Sequence, residues 1–159
     1  MKNHTCCFTG HRLIPAEEYD MISARLEATL VQLIHRGYQF FGAGGALGFD
    51  TLAAMTVLKL KKDYPHIKLI LVLPCADQAS RWKASDVQVY EYIKSRADKV
   101  VYISEHYTAD CMFRRNRHLV DNSSVCIAYC TKDEGGTAYT VAYARSRSAR
   151  TINLANKRA

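Results

Sequence analysis

The chain has 159 residues, with 22 Lys and Arg against 15 Asp and Glu, a formal charge of +7 at neutral pH. That length suits one domain spanning residues 1–159, which buries roughly 70% of the unfolded chain's surface and needs no metal or disulfide to hold a core. A hydrophobic content of 48% with only 3 Pro and 8 Gly excludes disorder and fibrous repeats, and the longest apolar runs, such as residues 69–73, are too short to cross a bilayer.

Taken in chain order, residues 4–9 read as a strand. Ile22, Leu26, Leu30, Leu33 and Ile34 then recur at helical spacing until Gly37 ends the helix. Residues 38–41 read as a short strand, followed by a Gly-rich turn over 42–48 and a helix over 49–62 that stops before Pro65. The run IKLILVL at 67–73 has the composition of a central strand covered on both faces. A helix over 86–97, a strand over 99–103, a helix over 112–121, a strand over 125–129, a helix over 137–147 and a strand over 151–154 complete the pattern. About six strands alternating with five helices predict a three-layer α/β domain with a mainly parallel sheet. No apolar leader precedes the first strand, so a cytoplasmic location is expected, with no membrane partner.

Six Cys are present, but none falls in a C-x-x-C pair. Cys6 and Cys7 point to opposite faces of a strand, and Cys126 and Cys130 lie roughly 13 Å apart along one, too far to share a metal. Reduced thiols acting mostly as small core hydrophobes are expected, with no metal and no resident cofactor.

Open parallel sheets bind ligands beyond the carboxyl ends of their strands. The loops at those ends collect most of the glycines together with His11, Arg12, Asp77, Gln78, Arg81 and Asp110. The segment 41–54, FGAGGALGFDTLAA, joins a strand to a helix, where small residues let backbone N–H groups approach an anion. Gly44, Gly45, Ala46 and Gly48 are therefore candidates for a phosphate or ribose. They spell neither a dinucleotide fingerprint nor a P-loop. Asp50, in the first helical turn, is either a ligand contact or a helix cap. After the first strand, Gly10 permits a turn while His11 and Arg12 supply donors suited to phosphate; Arg12 has Glu17 and Glu18 as alternative partners.

At the start of the fourth helix, Arg114 and Arg117 share a face and Arg115 points elsewhere, with Asn116 between them. Asp133, Glu134, Gly135, Gly136 and Thr137 again join a strand to a helix, and Thr137 either caps that helix or donates to phosphate. Gln78, Arg81 and Trp82 form a polar and aromatic group beyond the third strand, Trp82 serving to stack on a base, to cover a pocket or to anchor packing. His118 and Tyr139 are open in role.

With these loops in view, the chain resembles the SLOG superfamily of Rossmann-like proteins. That superfamily includes the LOG phosphoribohydrolases, the DNA-processing protein DprA and the short YpsA-like proteins. The resemblance is strongest to the YpsA-like group, through FTGHR at 8–12, GGALGFDTLAA at 44–54, P-x-x-x-Q at 74–78, CMFRRNRHLVD at 111–121 and GGTAYTVAYA at 135–144. GALGFDTLAA and Arg115-Asn116-Arg117 are also similar to elements of DprA. The resemblance implies a pocket for a nucleotide or nucleotide-derived small molecule.

It leaves catalysis open. In the LOG pattern M-x-x-R-K, Met112 and Arg115 match and Asn116 replaces Lys. In G-G-x-G-T-x-x-E, Gly136 and Thr137 match, while Tyr139 and Thr140 stand at the acidic positions. Glycosidic cleavage would then fall to Asp50, Asp133 or Glu134, with Arg115 as a further candidate.

Three functions follow: a cytoplasmic binding or sensor protein for a nucleotide-derived ligand, an N-glycosidic bond hydrolase acting on a nucleoside monophosphate, and a DprA-like binder of single-stranded DNA. The first is expected. Residues 1–110 carry 13 basic and 12 acidic side chains, and residues 111–159 carry 9 and 3, a net of +6. Arg114, Arg115 and Arg117 fall beside the pocket, where a compact phosphate needs charge. Arg145, Arg147, Arg150, Lys157 and Arg158 read as solvated surface. The aromatic residues show no platform interleaved with basic ones along the sequence, and self-association through an exposed helix face is compatible with the fold.

Overall fold

The structure, a computed structural model, describes residues 1–155; Lys157 and Arg158 lie outside the described residues. A short 3-10 turn at Lys2–His4 leads into β1, Thr5–Gly10. Then follow α1 (Ala16–His35), β2 (Phe40–Ala43), α2 (Phe49–Lys61), β3 (Lys68–Cys75), α3 (Ala84–Arg96), β4 (Lys99–Ser104), α4 (Cys111–Asp121), β5 (Val125–Tyr129), α5 (Gly136–Ser146) and β6 (Arg150–Asn153). The six strands form one sheet in the order β4-β3-β2-β1-β5-β6. Every pair is parallel, so the protein is an α/β Rossmann-like fold.

The helical periodicity of α1 buries Ile22, Leu26, Leu30, Leu33 and Ile34 as read from the sequence. Its end follows from Gly37 at φ 95, where the Gly37 N–H donates to Ile34 O at 3.0 Å and the Tyr38 N–H to Leu33 O at 3.0 Å, the paired bonds of a Schellman cap.

The strand after this cap sits two residues later than the sequence suggests. Gly42 and Ala43 are ladder residues rather than turn, paired to Ile70 and Leu71 of β3. A strand interior accepts Gly42 because α4 packs directly on it: a Cβ there would lie 2.9 Å from Leu119 Cδ2.

The most apolar segment, β3, is not the centre of the sheet. It is next to the edge strand β4, and Ile70 is only half-buried; β5 is the strand buried along its whole length. Composition reported a strand with helices near both faces, but strand order depends on where the crossovers land.

Right-handed crossovers carry the chain outward from β1 to β4 with α1, α2 and α3 on one face. The chain then returns so that β5 pairs with the other flank of β1, placing α4 and α5 on the opposite face. Two cores result. The larger one packs α1, α2 and α3 around Phe8, Phe41, Phe49, Leu71 and Ile127, and the smaller one joins Cys7, Val72, Leu119, Val120, Cys126 and Ala144. None of the six cysteines is paired, and all but Cys130 are buried. Among the described residues no helix is long and apolar enough to cross a membrane. The direction of strand addition reverses between β1 and β5, where Gly10 pairs with Tyr129, so the ligand-binding crevice of an open sheet belongs beyond these two residues.

Candidate functional site

The Gly-rich loop between β2 and α2 is packed from below. Arg115 comes from the sheet-facing row of α4, with Cys111 and Leu119 one turn to either side, and is only 5% exposed. Its Nη1 donates to Gly44 O, its Nε donates to Asn116 Oδ1 at 2.6 Å, and its Nη2 meets Met112 Sδ at 3.7 Å. Asp50, 6% exposed, accepts from the Ala46 N–H at 3.3 Å. Arg115 and Asp50 close on Gly44 together: a Cβ there would lie 2.5 Å from Arg115 Nη1 and 2.9 Å from Asp50 Oδ2.

Burial raises the Asp50 pKa, while Arg115, the Ala46 N–H and Arg12 pull it back. Burial lowers that of Arg115, and Asp50 opposes the shift. The two charges therefore support one another inside the protein, beneath the loop. Gln78 Nε2 donates to Gly45 O at 3.2 Å, and Gly48, at φ 77, packs against the backbone of His11 and Arg12. The first amide of α2 is likewise engaged, Phe49 N–H donating to His11 O at 3.1 Å. Gly44, Gly45 and Gly48 are thus small because other parts of the protein press on them. Gly10 is small for the same reason, since a Cβ there would lie 2.5 Å from the Phe49 ring.

The N-terminus of α5 is different. Gly135 has φ 100, but Gly136 adopts no such backbone conformation, and a Cβ at either would meet nothing within 4 Å. Both border a crevice of about 450 Å³ lined also by Gly10, His11, Arg12, Lys132, Glu134 and Thr137. This is the gap at the switch between β1 and β5.

His11 ties its two sides together. The Thr131 N–H donates to His11 Nε2 at 2.9 Å, with Thr131 Oγ1 3.1 Å from the same nitrogen, and the ring stands edge-on to Tyr129 at 5.5 Å. An acceptor at Nε2 requires a neutral ring with its proton on Nδ1. Partial burial and the Lys132 charge both lower the His11 pKa, in keeping with that state.

Arg12 is exposed and forms no ion pair with Glu17 or Glu18, leaving its charge directed at the clefts. On its other side lies a second cleft, of about 570 Å³, lined by Arg12, Cys75, Asp77, Gln78, Ser80, Arg81, Trp82, Tyr107 and Met112. Trp82 stands edge-on to Tyr90 at 5.2 Å, so its ring is anchored at the wall. The Cys75 thiol, at the floor, is pushed up to about 11 by burial and by Asp77 and Cys111, which keeps it protonated at neutral pH.

The fold thus brings Gly10, His11, Arg12, Glu134, Gly135, Gly136 and Thr137 to one crevice and Gln78 to the neighbouring cleft. It places Asp50, Arg115 and Asn116 behind the loop formed by Gly44, Gly45, Ala46 and Gly48. Arg114 turns to solvent, 4.0 Å from Asp110. Asp133 faces a separate groove with Arg145 and Asn153. Lys132 joins the crevice lining without any motif to mark it; its one signal in the sequence is its place as the last cation before Gly135-Gly136. Among the described residues no group of three or more His, Cys, Asp or Glu is arranged to hold a metal ion.

The family model for YpsA, described as the YspA SLOG family, matches residues 9–156. A UPF0398 protein of Brevibacillus brevis is 30% identical over 122 residues, which are 75% of this chain and 65% of that protein. The SPbeta prophage-derived protein YoqJ of Bacillus subtilis is 29% identical over 134 residues, 76% of this chain and 78% of its own. The chain therefore spans about two thirds of the length of the UPF0398 relative. Among solved structures, DprA of Streptococcus pneumoniae superposes with TM-score 0.68 at 17% identity, covering 94% of this chain and 50% of that one. DprA of Helicobacter pylori, a protein described as binding single-stranded DNA, superposes with TM-score 0.69 at 18% identity, covering 94% and 64%. These two likenesses show a shared fold.

Proposed function

The chain belongs to the YpsA SLOG family, and from that premise we propose that it is a cytoplasmic binding or sensor protein for a phosphate-bearing, nucleotide-derived ligand, held in the crevice between the loops that follow β1 and β5. One observation carries the reading: Gly136 has neither a strained backbone nor a neighbour that demands its small size, yet it stands at the N-terminus of α5 on the wall of that crevice. A bare helix N-terminus presents N–H groups and the positive end of the dipole, and a phosphate needs close approach to both. Arg12 and Lys132 flank the same space and supply the balancing charge. Arg12 also borders the cleft with Trp82 and Tyr107, so a nucleoside attached to the phosphate has an adjoining space of about 570 Å³.

Arg115 and Asp50 hold the Gly44–Gly48 loop in place, and Gly48 of that loop packs against the backbone of His11 and Arg12, so they support the crevice wall from behind. Isothermal titration calorimetry against inorganic phosphate and a panel of nucleoside mono- and diphosphates tests the reading. Binding by at least one nucleotide, weakened at least about tenfold by Arg12→Ala or Lys132→Ala, is expected. Failure of the whole panel, or indifference to both substitutions, would refute it.

A second reading, cleavage of an N-glycosidic bond, is favoured by Glu134, the one of the three nominated carboxylates that lines the crevice. It is positioned to activate water or stabilise positive charge at an anomeric carbon. Release of free base from nucleoside monophosphates, lost in Glu134→Gln, is its test.

A further inference from the structure

The larger cleft beside Arg12 carries two charges of opposite sign that no protein group answers. Asp77 and Arg81 both line it, from the loop that joins β3 to α3. Two turns wind that loop, the Ser80 N–H donating to Asp77 O at 3.1 Å and the Trp82 N–H to Ala79 O at 3.1 Å. Among the described residues neither Asp77 nor Arg81 enters an ion pair, so both are left for whatever occupies the cleft. The Asp77 carboxylate meets the buried Cys75 thiol at the cleft floor, and so weak a donor leaves most of its acceptor capacity free. Aromatic groups stand on the same walls. Trp82 is held edge-on to Tyr90 at 5.2 Å, and Tyr107, 63% exposed, reaches the cleft from the loop after β4.

A pocket with aromatic walls suits a planar heterocycle, and the two charges say which one. A carboxylate accepts two parallel hydrogen bonds and donates none. Among the common nucleobases guanine alone presents adjacent donors on one edge, N1–H and the N2 amino group, and its O6 and N7 accept from a guanidinium. Adenine and cytosine offer an amino group beside a ring-nitrogen acceptor, which repels the second carboxylate oxygen. Uracil flanks its N3–H with two carbonyls, which repel both. The same pair of charges therefore matches one base and opposes the others.

We propose that the ligand is a guanine nucleotide, its base held in the larger cleft with Asp77 accepting from N1–H and the N2 amino group and Arg81 donating to O6 and N7. The inference rests on the crevice being a phosphate site, and it adds the identity of the base. Arg12 lines both spaces, which makes the nucleoside continuous with the phosphate at the N-terminus of α5.

The test is calorimetry of the full chain with GMP, IMP, AMP, CMP, UMP and xanthosine monophosphate. GMP should bind about 5- to 150-fold more tightly than AMP, CMP or UMP, the range that one correct bidentate contact supplies. IMP, which lacks the N2 amino group, should fall between them. Asp77→Asn turns one acceptor into a donor, so it should erase the preference for GMP. The same variant should bind xanthosine monophosphate more tightly than GMP, because xanthine carries an accepting carbonyl where guanine carries the amino group. Arg81→Ala should weaken GMP about fivefold or more. Both side chains are exposed, so neither substitution threatens the fold, and a gain for xanthosine monophosphate requires a folded site. Nucleotide binding that ranks AMP, CMP or UMP within about twofold of GMP overturns the guanine assignment while the crevice reading stands. A preference for GMP that survives Asp77→Asn without any gain for xanthosine monophosphate overturns it as well. Failure of every nucleotide to bind the unaltered protein overturns both.

Discussion

Replacing Gly136 by aspartate separates the role of this glycine in folding from its role in binding. A Cβ at Gly136 meets nothing within 4 Å, so the side chain enters open space without displacing any neighbour. Removing a glycine from the first turn of α5 gains about 0.5–1 kcal/mol from reduced freedom of the unfolded chain. A carboxylate near a helix N-terminus gains about 0.3–1 kcal/mol more from the dipole. Gly136→Asp should therefore raise stability by about 1 kcal/mol, a rise of roughly 2–4 °C in Tm for a chain of this size. The same carboxylate stands where the phosphate is proposed to bind. At about 4 Å, two unit charges repel by about 1 kcal/mol in bulk water and about 4 kcal/mol near a protein surface, which corresponds to a loss of affinity between roughly fivefold and a thousandfold. Differential scanning fluorimetry and calorimetry on the same preparation read both effects. A variant that is more stable and binds nucleotide within twofold of the unaltered protein would refute the placement of phosphate on α5. A strongly destabilised variant would refute the reading of Gly136 as free of packing.

Three other outcomes follow from the same geometry. Gly48→Ala places a Cβ into the backbone carbonyl of Arg12 at a residue with φ 77, so it should cost about 3 kcal/mol or more in urea denaturation, in contrast with the harmless change at Gly136. Arg115→Ala leaves Asp50 buried without the charge that opposes its desolvation and Gly44 O without its donor; a loss of about 3–5 kcal/mol is expected by the same assay, with no rescue by Arg115→Lys because a compact ammonium lacks the planar spread of donors by which Nη1 reaches Gly44 O while Nε reaches Asn116 Oδ1. The folded-state pKa of His11 is depressed below its ordinary value of 6.5, so the unfolded chain takes up the proton first. The stability this group contributes is present above pH 6.5 and is lost as pH falls from there through the depressed value, when Nε2 can no longer accept from Thr131. Thermal melts from pH 8 to 5 should show this loss in the unaltered protein, and His11→Phe should lack that part of the pH dependence.

The layer architecture was legible along the chain, because hydrophobic period and glycine punctuation are local. Residues 22–34 bury one face at helical spacing, and Gly37 closes the Schellman cap that ends the helix. The loops that carry polar residues and glycine were legible for the same reason, and so was their grouping at the carboxyl edge, which every parallel strand shares. The family motifs added that these loops belong together.

What each glycine is for came from packing between distant segments. Gly48 and Gly136 read alike in sequence, each preceding or opening a helix after a strand, but Arg12 presses on one and open space faces the other. Packing likewise decided which arginine of 114, 115 and 117 is buried, since helical spacing separates faces without saying which one meets the sheet. The edge-to-face contact of Phe113 with Tyr139 was invisible along the chain because α4 and α5 supply the two rings from positions 26 residues apart. Such juxtapositions depend on crossover handedness and strand order, which bring distant segments into contact and leave no periodic trace in either one.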